Sequence, residues 1–421
     1  MARQMKLSGV ESMGDIPVTW SVVRVKDLCN ENCKQLTTLP DEIRYVDIGS
    51  VSVNGIKSIQ HLKKADIPSR ARRLPQKGDI IVSNVRTYLR AITRVMEEGL
   101  VVSTGFSVFT PLTNTFPEFM FYTLQSDSFM DQVDASSKGI SYPAISGSAL
   151  RNLKIVQPSL NEQIAIASFL DDRTSAIDRK IQLLEEKATA LADLRKSVIH
   201  QAVTKGLNPN AAMKPSGVDW IGDMPAHWTV TRGSDTFDVR QGYPFDSSKF
   251  ADTGHSVIRM GDFDEQKCTR YYLDVTEVPS TCRVTSSTIL MGLSGSIKTV
   301  VWRGEDAYLN QRIAALDFKT IEPGLACYLA ELMAETIEVG LAATTIKNVS
   351  IWQLRKFLFP KAPPEEAFLI TRYLFNKVSI LDASINTITV QIDALKSLRQ
   401  SLIHEAVTGK IDVADHGYHY A

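Results

Sequence analysis

The 421-residue chain has few of the features that mark secreted, membrane-bound or disulfide-bonded proteins. No apolar run approaches the roughly 18 to 20 residues of a membrane helix, and the first residues lack the apolar core of a signal peptide. We therefore expect a cytoplasmic protein without a membrane partner. The cysteines are too few and unevenly placed for a disulfide framework or a duplicated metal site, so we expect free thiols at Cys29, Cys33, Cys268, Cys282 and Cys327.

The chain also lacks a net charge, since 47 basic residues balance 47 acidic residues. This balance argues against a protein that coats nucleic acid without selectivity. The segment from Lys63 to Arg94 differs, because its basic residues far outnumber its acidic ones, and Asn84 and Tyr88 lie among the arginines. Such a composition favours phosphate and base-edge contacts over a merely solvated surface, and we expect this segment to bind nucleic acid.

The most informative feature that is present is a duplication. The element at residues 7–17, followed by Trp20, returns at residues 215–225, followed by Trp228. The sequence of residues 194–204 returns in closely similar form at 398–408. Because the ends of the copies match and their interiors differ, we expect one scaffold that presents two different binding faces.

Composition and punctuation divide the chain into mixed and helical segments. The mixed segments contain short β-rich runs at 45–48, 79–82 and 287–291, together with helices expected from Pro117 to Val133 and from Pro323 to Val339. We predict an α+β fold with mixed domains at 1–157 and 208–360, helical segments at 158–207 and 361–412, and a tail at 413–421.

The helical segments carry apolar residues at alternating steps of four and three, which is a heptad pattern. Each stripe needs a partner helix, and the simplest partner is the stripe of the other copy. We predict an antiparallel coiled coil with a mixed domain at either end. We expect Arg195 and Arg399 at its edge, where their side chains either extend their charged ends into solvent or pair with acids. An ordinary amphipathic helix pair in a compact core is the alternative. The predicted seam residues are Ile177, Ile181, Leu184, Ala188, Leu191 and Val198, with Leu381, Ile385, Ile388, Ile392, Leu395 and Leu402.

Helix punctuation supports these bounds. Ser159 and Glu162 have the spacing of a capping box, Pro364 begins the second segment, and Gly206 and Gly409 close the two. A helix over residues 175–205 would be about 45 Å long, at about 1.5 Å per residue. This length matches about 13 base pairs of duplex, so the pair could hold two readers on one face of DNA.

These repeated elements resemble a known family. Two variable domains, each introduced by Ser-Gly-Val-x-x-x-Gly-x-x-Pro-x-x-Trp and followed by a helix closing on Leu-Arg-x-Ser-(Val/Leu)-Ile-His-x-Ala-Val-Thr, are similar to the specificity subunit of Type I restriction-modification systems. Glu162-Gln163 is similar to the family's first conserved helix. The second copy departs there, with Glu365-Glu366-Ala367.

The resemblance implies that each variable domain is a target recognition domain for one half of a bipartite sequence in double-stranded DNA. It implies that the helices set the spacing and dock two methyltransferase subunits, which an endonuclease/translocase subunit joins. S-adenosylmethionine, ATP and Mg would then be bound by the partner subunits, and this chain would bind no cofactor and catalyse no reaction.

The residues themselves also indicate no chemistry. The chain has neither the Asn/Asp-Pro-Pro-aromatic run nor the glycine-rich turn of a DNA-adenine methyltransferase, and Gly292 to Ser296 lacks the lysine of a phosphate loop. We predict no catalytic residue and no metal site. Two other interpretations stay open from the residues alone: a coiled-coil adaptor whose mixed domains bind protein, and a self-sufficient methyltransferase.

Arginine pairs with guanine and asparagine with adenine in the major groove, while further basic side chains hold phosphates. On these grounds the DNA-contacting residues predicted in the first domain are Arg70, Arg72, Arg73, Asn84, Arg86, Tyr88, Arg90, Lys138, Ser141 and Tyr142. Those predicted in the second are Arg240, Gln241, Tyr243, Ser294, Ser296, Lys298, Asn310, Gln311, Arg312, Thr344, Lys347 and Asn348. The second domain has no excess of basic residues, so we expect it to contribute less of the salt-dependent attraction.

Overall fold

The computed structural model of the chain describes residues 3–32, 34–52, 55–139, 142–342 and 347–417. The chain folds into two compact units, Met1–Glu186 with Thr389–Ala421, and Lys187–Ile388. No helix in the described ranges is long and apolar enough to cross a membrane.

The first unit begins with short strands and short helices. The strands are β1 Met5–Leu7, β2 Asp15–Pro17, β3 Ser21–Arg24, β4 Cys29–Glu31, β5 Glu42–Val46, β6 Val51–Ser52, β7 Gly55–Ile56, β8 Gln60–Lys63, β9 Ala71–Arg73, β10 Ile80–Ser83, β11 Ile92–Arg94, β12 Leu100–Ser103, β13 Phe106–Pro111 and β14 Lys154–Gln157. The helices are α1 Val25–Leu28, α2 Pro117–Gln125, α3 Asp127–Ser136 and α4 Gly147–Asn152.

Two four-stranded sheets form the centre of this unit, in the orders β11-β10-β13-β4 and β8-β5-β12-β9. The strands of the first sheet are antiparallel, whereas β5 and β12 of the second run parallel. Strand β10 is buried on both faces: Ile80 and Val82 pack with α2 and α3, and Ile81 packs with Val46 and Val102 of the other sheet. A continuous apolar run is typical of such a doubly covered strand.

The second unit repeats this plan. Its strands are β15 Met213–Pro215, β16 Asp223–Pro225, β17 Thr229–Arg232, β18 Phe237–Gln241, β19 Phe250–Ala251, β20 His255–Ile258, β21 Tyr271–Tyr272, β22 Arg283–Val284, β23 Ile289–Gly292, β24 Thr299–Val301, β25 Ala307–Leu309, β26 Ile313–Phe318 and β27 Leu358–Lys361. Helices α6 Gly233–Thr236, α7 Pro323–Gly340 and α8 Ile351–Lys356 accompany these strands.

The main sheets of the second unit have the orders β18-β26-β23-β24 and β19-β21-β20-β25-β22, with β20 and β25 parallel. As in the first unit, alternate residues of one strand pack against the helix on one face and against the other sheet on the opposite face. Ile289 and Met291 of β23 pack with α7, and Leu290 packs with Ile258 and Leu309 of the other sheet. Both units are therefore mixed domains, and the predicted α+β class is confirmed.

The two longest helices, Leu160–Lys205 (α5) and Pro364–Val407 (α9), follow the mixed domains. They pack antiparallel, as predicted. In the first unit, Arg399 donates from Nε to Asp178 Oδ1 at 3.0 Å. In the second unit, Arg195 donates from Nε to Asp382 Oδ1 at 2.7 Å and also pairs with Glu331 of α7. Both arginines of the repeat therefore pair with acids.

The apolar stripes of α5 and α9 face inward. Of the predicted seam residues, Ile181, Leu184, Ile388 and Ile392 are buried. The others are partly buried, namely Ile177, Ala188, Leu191, Val198, Leu381, Ile385, Leu395 and Leu402. Burial every three or four residues is the pattern that the heptad spacing predicts.

One detail of the helices differs from the sequence expectation. The helix expected from Pro117 to Val133 is two helices, because Ser126 has an extended backbone with ψ 152° that separates α2 from α3. Helix α5 begins at Leu160, where the reciprocal hydrogen bonds of Ser159 and Glu162 cap it as the capping-box spacing predicts. The helix expected at Pro323 is present as α7.

Each repeated tryptophan anchors a domain to the start of its helix. Trp20 and Trp228 are fully buried. The indole Nε1 of Trp20 donates to Glu162 at 3.0 Å, and that of Trp228 donates to Glu366 at 2.9 Å. Burial opposes ionisation of Glu162, but the hydrogen bonds from Trp20 and Ser159 and the nearby charge of Arg3 outweigh it and lower the pKa of this carboxyl.

Candidate nucleic-acid interface

Three loops of the first unit meet at Asn84. The Asn84 N–H donates to the carbonyl of Gly105 at 2.7 Å, and its carbonyl accepts from the N–H of Ile145 at 2.8 Å. Two residues later, the Arg86 N–H donates to the carbonyl of Pro143 at 2.8 Å. Backbone bonds therefore hold the loop after β10, the turn before β13 and the loop before α4 against one another.

The side chains at this junction form a basic and aromatic surface. Arg86 is exposed, and its guanidinium carbon lies 5.2 Å from the ring centroid of Tyr142. Tyr88 and Lys138 are exposed beside it, whereas Asn84 is partly buried. The Oδ1 atom of Asn84 is buried without a hydrogen-bond partner among the described residues. We call Asn84, Arg86, Tyr88, Lys138 and Tyr142 the first loop cluster.

Arg86 holds a left-handed backbone, with φ 52°. This conformation costs a non-glycine residue about 1–2 kcal/mol, and such strain concentrates at functional sites. Arg90 has φ 47° and the same conformation, but its Nη1 donates to Asp127 Oδ1 at 2.8 Å. The two arginines therefore differ in what their side chains contact: Arg86 contacts an exposed tyrosine of the cluster, and Arg90 contacts the start of α3.

The other predicted arginines of the first unit lie nearby. The carbonyl of Arg70 accepts from the N–H of Thr104, which places Arg70 beside the first loop cluster. Its Nε donates to the Tyr45 hydroxyl at 3.3 Å, and this hydrogen bond is the main cause that raises the pKa of Arg70. Arg72 and Arg73 lie in β9 and are partly buried. Ser141 lies outside the described residues.

The second unit has the same backbone framework with different side chains. The Leu293 N–H donates to the carbonyl of Arg312 at 2.8 Å, and the carbonyl of Leu293 accepts from the N–H of Val349 at 2.8 Å. The Gly295 N–H donates to the carbonyl of Lys347 at 2.9 Å. Leu293 therefore occupies the position of Asn84. Gly295, with φ 76°, occupies the position of Arg86.

Most polar residues predicted in the second unit lie at this junction. Tyr243 forms a bridge to Asn310, and Ser294 forms one to Asn348. Asn310 Oδ1 accepts from the Arg312 N–H at 3.3 Å. We call the second loop cluster the group Tyr243, Ser294, Ser296, Lys298, Asn310, Gln311, Arg312, Lys347 and Asn348. Thr344 lies outside the described residues.

Acidic neighbours neutralise several of the predicted cations of the second unit. Lys298 Nζ is 2.6 Å from Asp264, and Lys347 Nζ is 3.1 Å from Glu338. Arg240 pairs with Asp317 at 2.5 Å and also donates to the carbonyls of Thr281 and Arg283, so its donors stabilise the domain itself. The exposed residue Gln241 ends β18, directly after Arg240 and two residues before Tyr243.

Sequence reasoning missed Trp352. This tryptophan is 63% exposed at the start of α8, four residues beyond Asn348, and Lys356 Nζ lies 3.6 Å from its ring centroid. An exposed aromatic ring is a stacking surface for a base. Trp352 has no counterpart in the first copy, because Ser148 occupies the equivalent position of α4, two residues after the N-cap. Since Trp20 and Trp228 are repeated and Trp352 is not, the sequence alone could have shown that Trp352 has a different role from the two anchoring tryptophans.

Among the residues that the structure describes, no group of three or more His, Cys, Asp or Glu side chains is placed to hold a metal ion. The described thiols are buried or partly buried. Burial and the nearby charge of Asp79 raise the pKa of Cys29 to about 12, and burial with Asp262 and Glu305 raises that of Cys268 to about 12. A thiol is a poor nucleophile or ligand when protonated.

Two mixed domains of one plan, each with a polar loop cluster and each followed by one of two antiparallel helices, define a duplicated protein with two candidate nucleic-acid-binding domains. The family of the Type I restriction modification DNA specificity domain matches residues 17–188 and 225–394. The chain belongs to this family. It is a DNA specificity subunit of a Type I restriction-modification system with two target-recognition domains, and such subunits are non-catalytic and bind no cofactor themselves.

Similar proteins carry the same description. The chain is 23% identical over 312 residues to the MjaVIII specificity subunit of Methanocaldococcus jannaschii, and this match covers 70% of each of the two chains. It is 26% identical over 187 residues to the EcoBI specificity subunit of Escherichia coli, covering 42% of this chain and 38% of that protein. A chain solved in a study of the assembly and conformational transition of the type I R-M system shares the fold, with a TM-score of 0.67 and 22% identity over 94% of this chain and 99% of that chain.

Proposed function

We propose that the two loop clusters read the two halves of a bipartite target in double-stranded DNA. The observation that carries this proposal is the shared framework, in which backbone bonds hold Asn84 and Arg86 in one unit and Leu293 and Gly295 in the other. The side chains on this framework differ between the units, so each can present a different pattern of donors and acceptors to base edges. The functional domains would then be 1–157 and 208–360, with helical segments at 158–207 and 361–412.

In the first unit, Arg86 is the side chain best suited to a base edge. It is exposed, it stacks on Tyr142, and it has no acidic partner in the described part of the chain. Arg70 and Lys138 would hold phosphates beside it, and Asn84 offers a buried oxygen without a partner. In the second unit, Arg312, Gln311 and Asn348 would contact the DNA, and Trp352 would stack.

The helices α5 and α9 would set the gap between the half-sites and dock two methyltransferase subunits. Apolar side chains exposed on both helices support docking, and two of them recur at matching positions of the repeat: Ile164 with Phe368, and Leu194 with Leu398. The start of α9 adds Leu369 and Phe375. Contiguous exposed apolar residues on a charged helix are typical of protein interfaces.

The remaining partners follow from the same proposal. Endonuclease/translocase subunits would join the complex. S-adenosylmethionine, ATP and Mg would be bound by the partner subunits rather than by this chain. The complex would act in the cytoplasm, where DNA is accessible.

Methylome sequencing of strains with altered chains tests the proposal. Exchange of residues 208–360 for the corresponding domain of another family member should change one half of the methylated sequence and leave the other half unchanged. Insertion of equal helical segments into α5 and α9 should change the gap alone. A control with polar substitutions on exposed positions of both helices, without insertion, should keep the gap. An unchanged half-site after the exchange, or an unchanged gap after the insertion, would contradict the proposal.

A further inference from the structure

A cavity of about 390 Å³ lies beside the start of α9 in the second unit. Its walls include the apolar side chains of Ala211, Pro225, Leu369 and Ile370. The carboxylate of Glu366 also lines it. Lys205, Asn208 and His227 line it as well. A cavity of this size that combines apolar walls with a few convergent polar groups is typical of a ligand site.

The first unit shows what the same position can hold. In the first hairpin, Met5 pairs with Pro17 and the Val18 N–H donates to the carbonyl of Gln4. In the second hairpin, Met213 pairs with Pro225 and the Ala226 N–H donates to the carbonyl of Ala212. The register therefore makes Gln4 equivalent to Ala212. One residue earlier, Arg3 is equivalent to Ala211.

In the first unit, the side chain of Arg3 occupies the position that corresponds to the cavity. Its guanidinium pairs with Glu162 and lies 5.0 Å from the ring centroid of Trp20. Glu162 accepts further hydrogen bonds from the Ser159 N–H at 3.1 Å and from the Ser159 hydroxyl at 2.8 Å. With these partners, the side chain of Glu162 is only 13% exposed.

The second unit lacks both of these contributions. Ala211 replaces the arginine, and Pro363, which has no N–H and no hydroxyl, stands at the position of Ser159. The side chain of Glu366 is 40% exposed, and it accepts from Trp228 Nε1 and, at 2.5 Å, from His227 Nε2. The carboxylate that Arg3 covers in one unit is therefore more exposed in the other, where it lines the cavity beside His227.

We propose that this cavity binds an alkylguanidinium group in the manner in which the first unit binds Arg3. A guanidinium forms charge-assisted hydrogen bonds to a carboxylate, and Leu369, Ile370 and Pro225 offer an apolar wall to its alkyl stem. The group comes either from an arginine side chain of a partner chain or from a free small molecule. Lys205 also lines the cavity and opposes a cation, so its charge limits the affinity.

Titration of the full-length chain with agmatine, an alkylguanidinium, tests the site by calorimetry or by NMR. We expect one site per chain and at least about tenfold weaker binding for Glu366→Gln, because the ion pair is lost. Ala211→Arg should abolish agmatine binding, since the new side chain would occupy the cavity as Arg3 does. Ala212→Arg is the matched control, because it adds the same charge on the neighbouring, exposed residue, and it should bind agmatine like the wild type.

Two further variants should increase agmatine binding. Arg3→Ala should expose Glu162 and raise the stoichiometry from one to two agmatine molecules per chain. Lys205→Met should strengthen binding, because it removes an adverse charge. Absence of agmatine binding to the wild-type chain, or equal binding by the wild type and Glu366→Gln, would overturn the proposal.

The assembled complex distinguishes the two sources of the group. If a docked methyltransferase subunit inserts an arginine, the complex should exclude agmatine and Ala211→Arg should weaken its assembly. If a free small molecule is the ligand, the complex should still bind agmatine with the same stoichiometry. The first source rests on the proposed docking on α9. Binding to the isolated chain does not, so the two proposals can fail separately.

Discussion

Replacement of Arg86 by glycine should separate recognition of DNA from stability of the domain. The left-handed backbone at this position costs arginine about 1–2 kcal/mol, which glycine does not incur. The greater freedom of glycine in the unfolded chain lowers the free energy of unfolding by about 0.5–1 kcal/mol. Loss of the contact with Tyr142 lowers it by about 0.5–1 kcal/mol more. These effects nearly cancel, so the free energy of unfolding should change by less than about 1 kcal/mol.

DNA binding should respond far more strongly to the same substitution. A paired contact from arginine to guanine discriminates by about 1–3 kcal/mol, which corresponds to about 5- to 140-fold in affinity. The assay is fluorescence anisotropy of the methyltransferase complex on a duplex that carries the target, compared with a duplex altered in the first half-site. Thermal unfolding of the same preparations provides the measurement of stability.

Arg90→Gly is the matched control. It relieves the same left-handed conformation four residues away, but it removes the ion pair with Asp127 instead of a side chain of the first loop cluster. We expect its affinity for the target to stay within about threefold of the wild type, since a partly exposed ion pair contributes about 0–1 kcal/mol to stability alone. Equal losses of affinity in Arg86→Gly and Arg90→Gly would refute the reasoning, as would a loss for Arg86→Gly that is the same on matched and altered duplexes.

Two further predictions concern stability. Arg399→Met should lower the free energy of unfolding by about 1–3 kcal/mol, because Arg399 is only 8% exposed and its loss leaves Asp178 without this partner. The double variant Arg399→Met with Asp178→Leu should recover most of this loss, as measured by chemical denaturation. Burial and the nearby charge of Lys410 lower the pKa of His404 below its usual value near 6.5. The unfolded chain therefore binds a proton more readily than the folded one, and stability should fall as the pH drops below about 6.5. His404→Gln should flatten this part of a plot of melting temperature against pH, and an unchanged slope would contradict the assignment.

The helices could be predicted from the sequence because burial along a helix depends on spacing alone. Steps of three and four placed Ile181 and Leu184 in the stripe without knowledge of the partner. The acids that pair with the arginines of the repeat could not be predicted, since Asp178 and Asp382 oppose Arg399 and Arg195 only in one particular packing of the helices. The break between α2 and α3 at Ser126 could not be predicted either, because the apolar helical pattern continues through this residue.

The loop clusters were predictable only in part. Composition drew attention to the arginines around Asn84, but the bond from Ile145 to the Asn84 carbonyl joins residues far apart in sequence. Composition cannot show which cations are neutralised either. Arg240 has the sequence context of a DNA contact, yet Asp317 on the adjacent strand takes up its guanidinium. That pairing depends on strand register, which a single sequence does not specify.

The backbone framework explains how the interiors of the two copies can diverge while their ends stay alike. The bonds that hold each junction use N–H and carbonyl groups, so they tolerate Asn84 or Leu293 at one position and Arg86 or Gly295 at another. If the loop clusters read DNA as proposed, substitutions in them would change the recognised bases at little cost in stability. The seam and the tryptophan anchors have no such freedom, because Trp20 and Trp228 must each reach a glutamate at the start of a helix. Selection for new targets can act on the clusters, while selection for folding keeps the repeated ends.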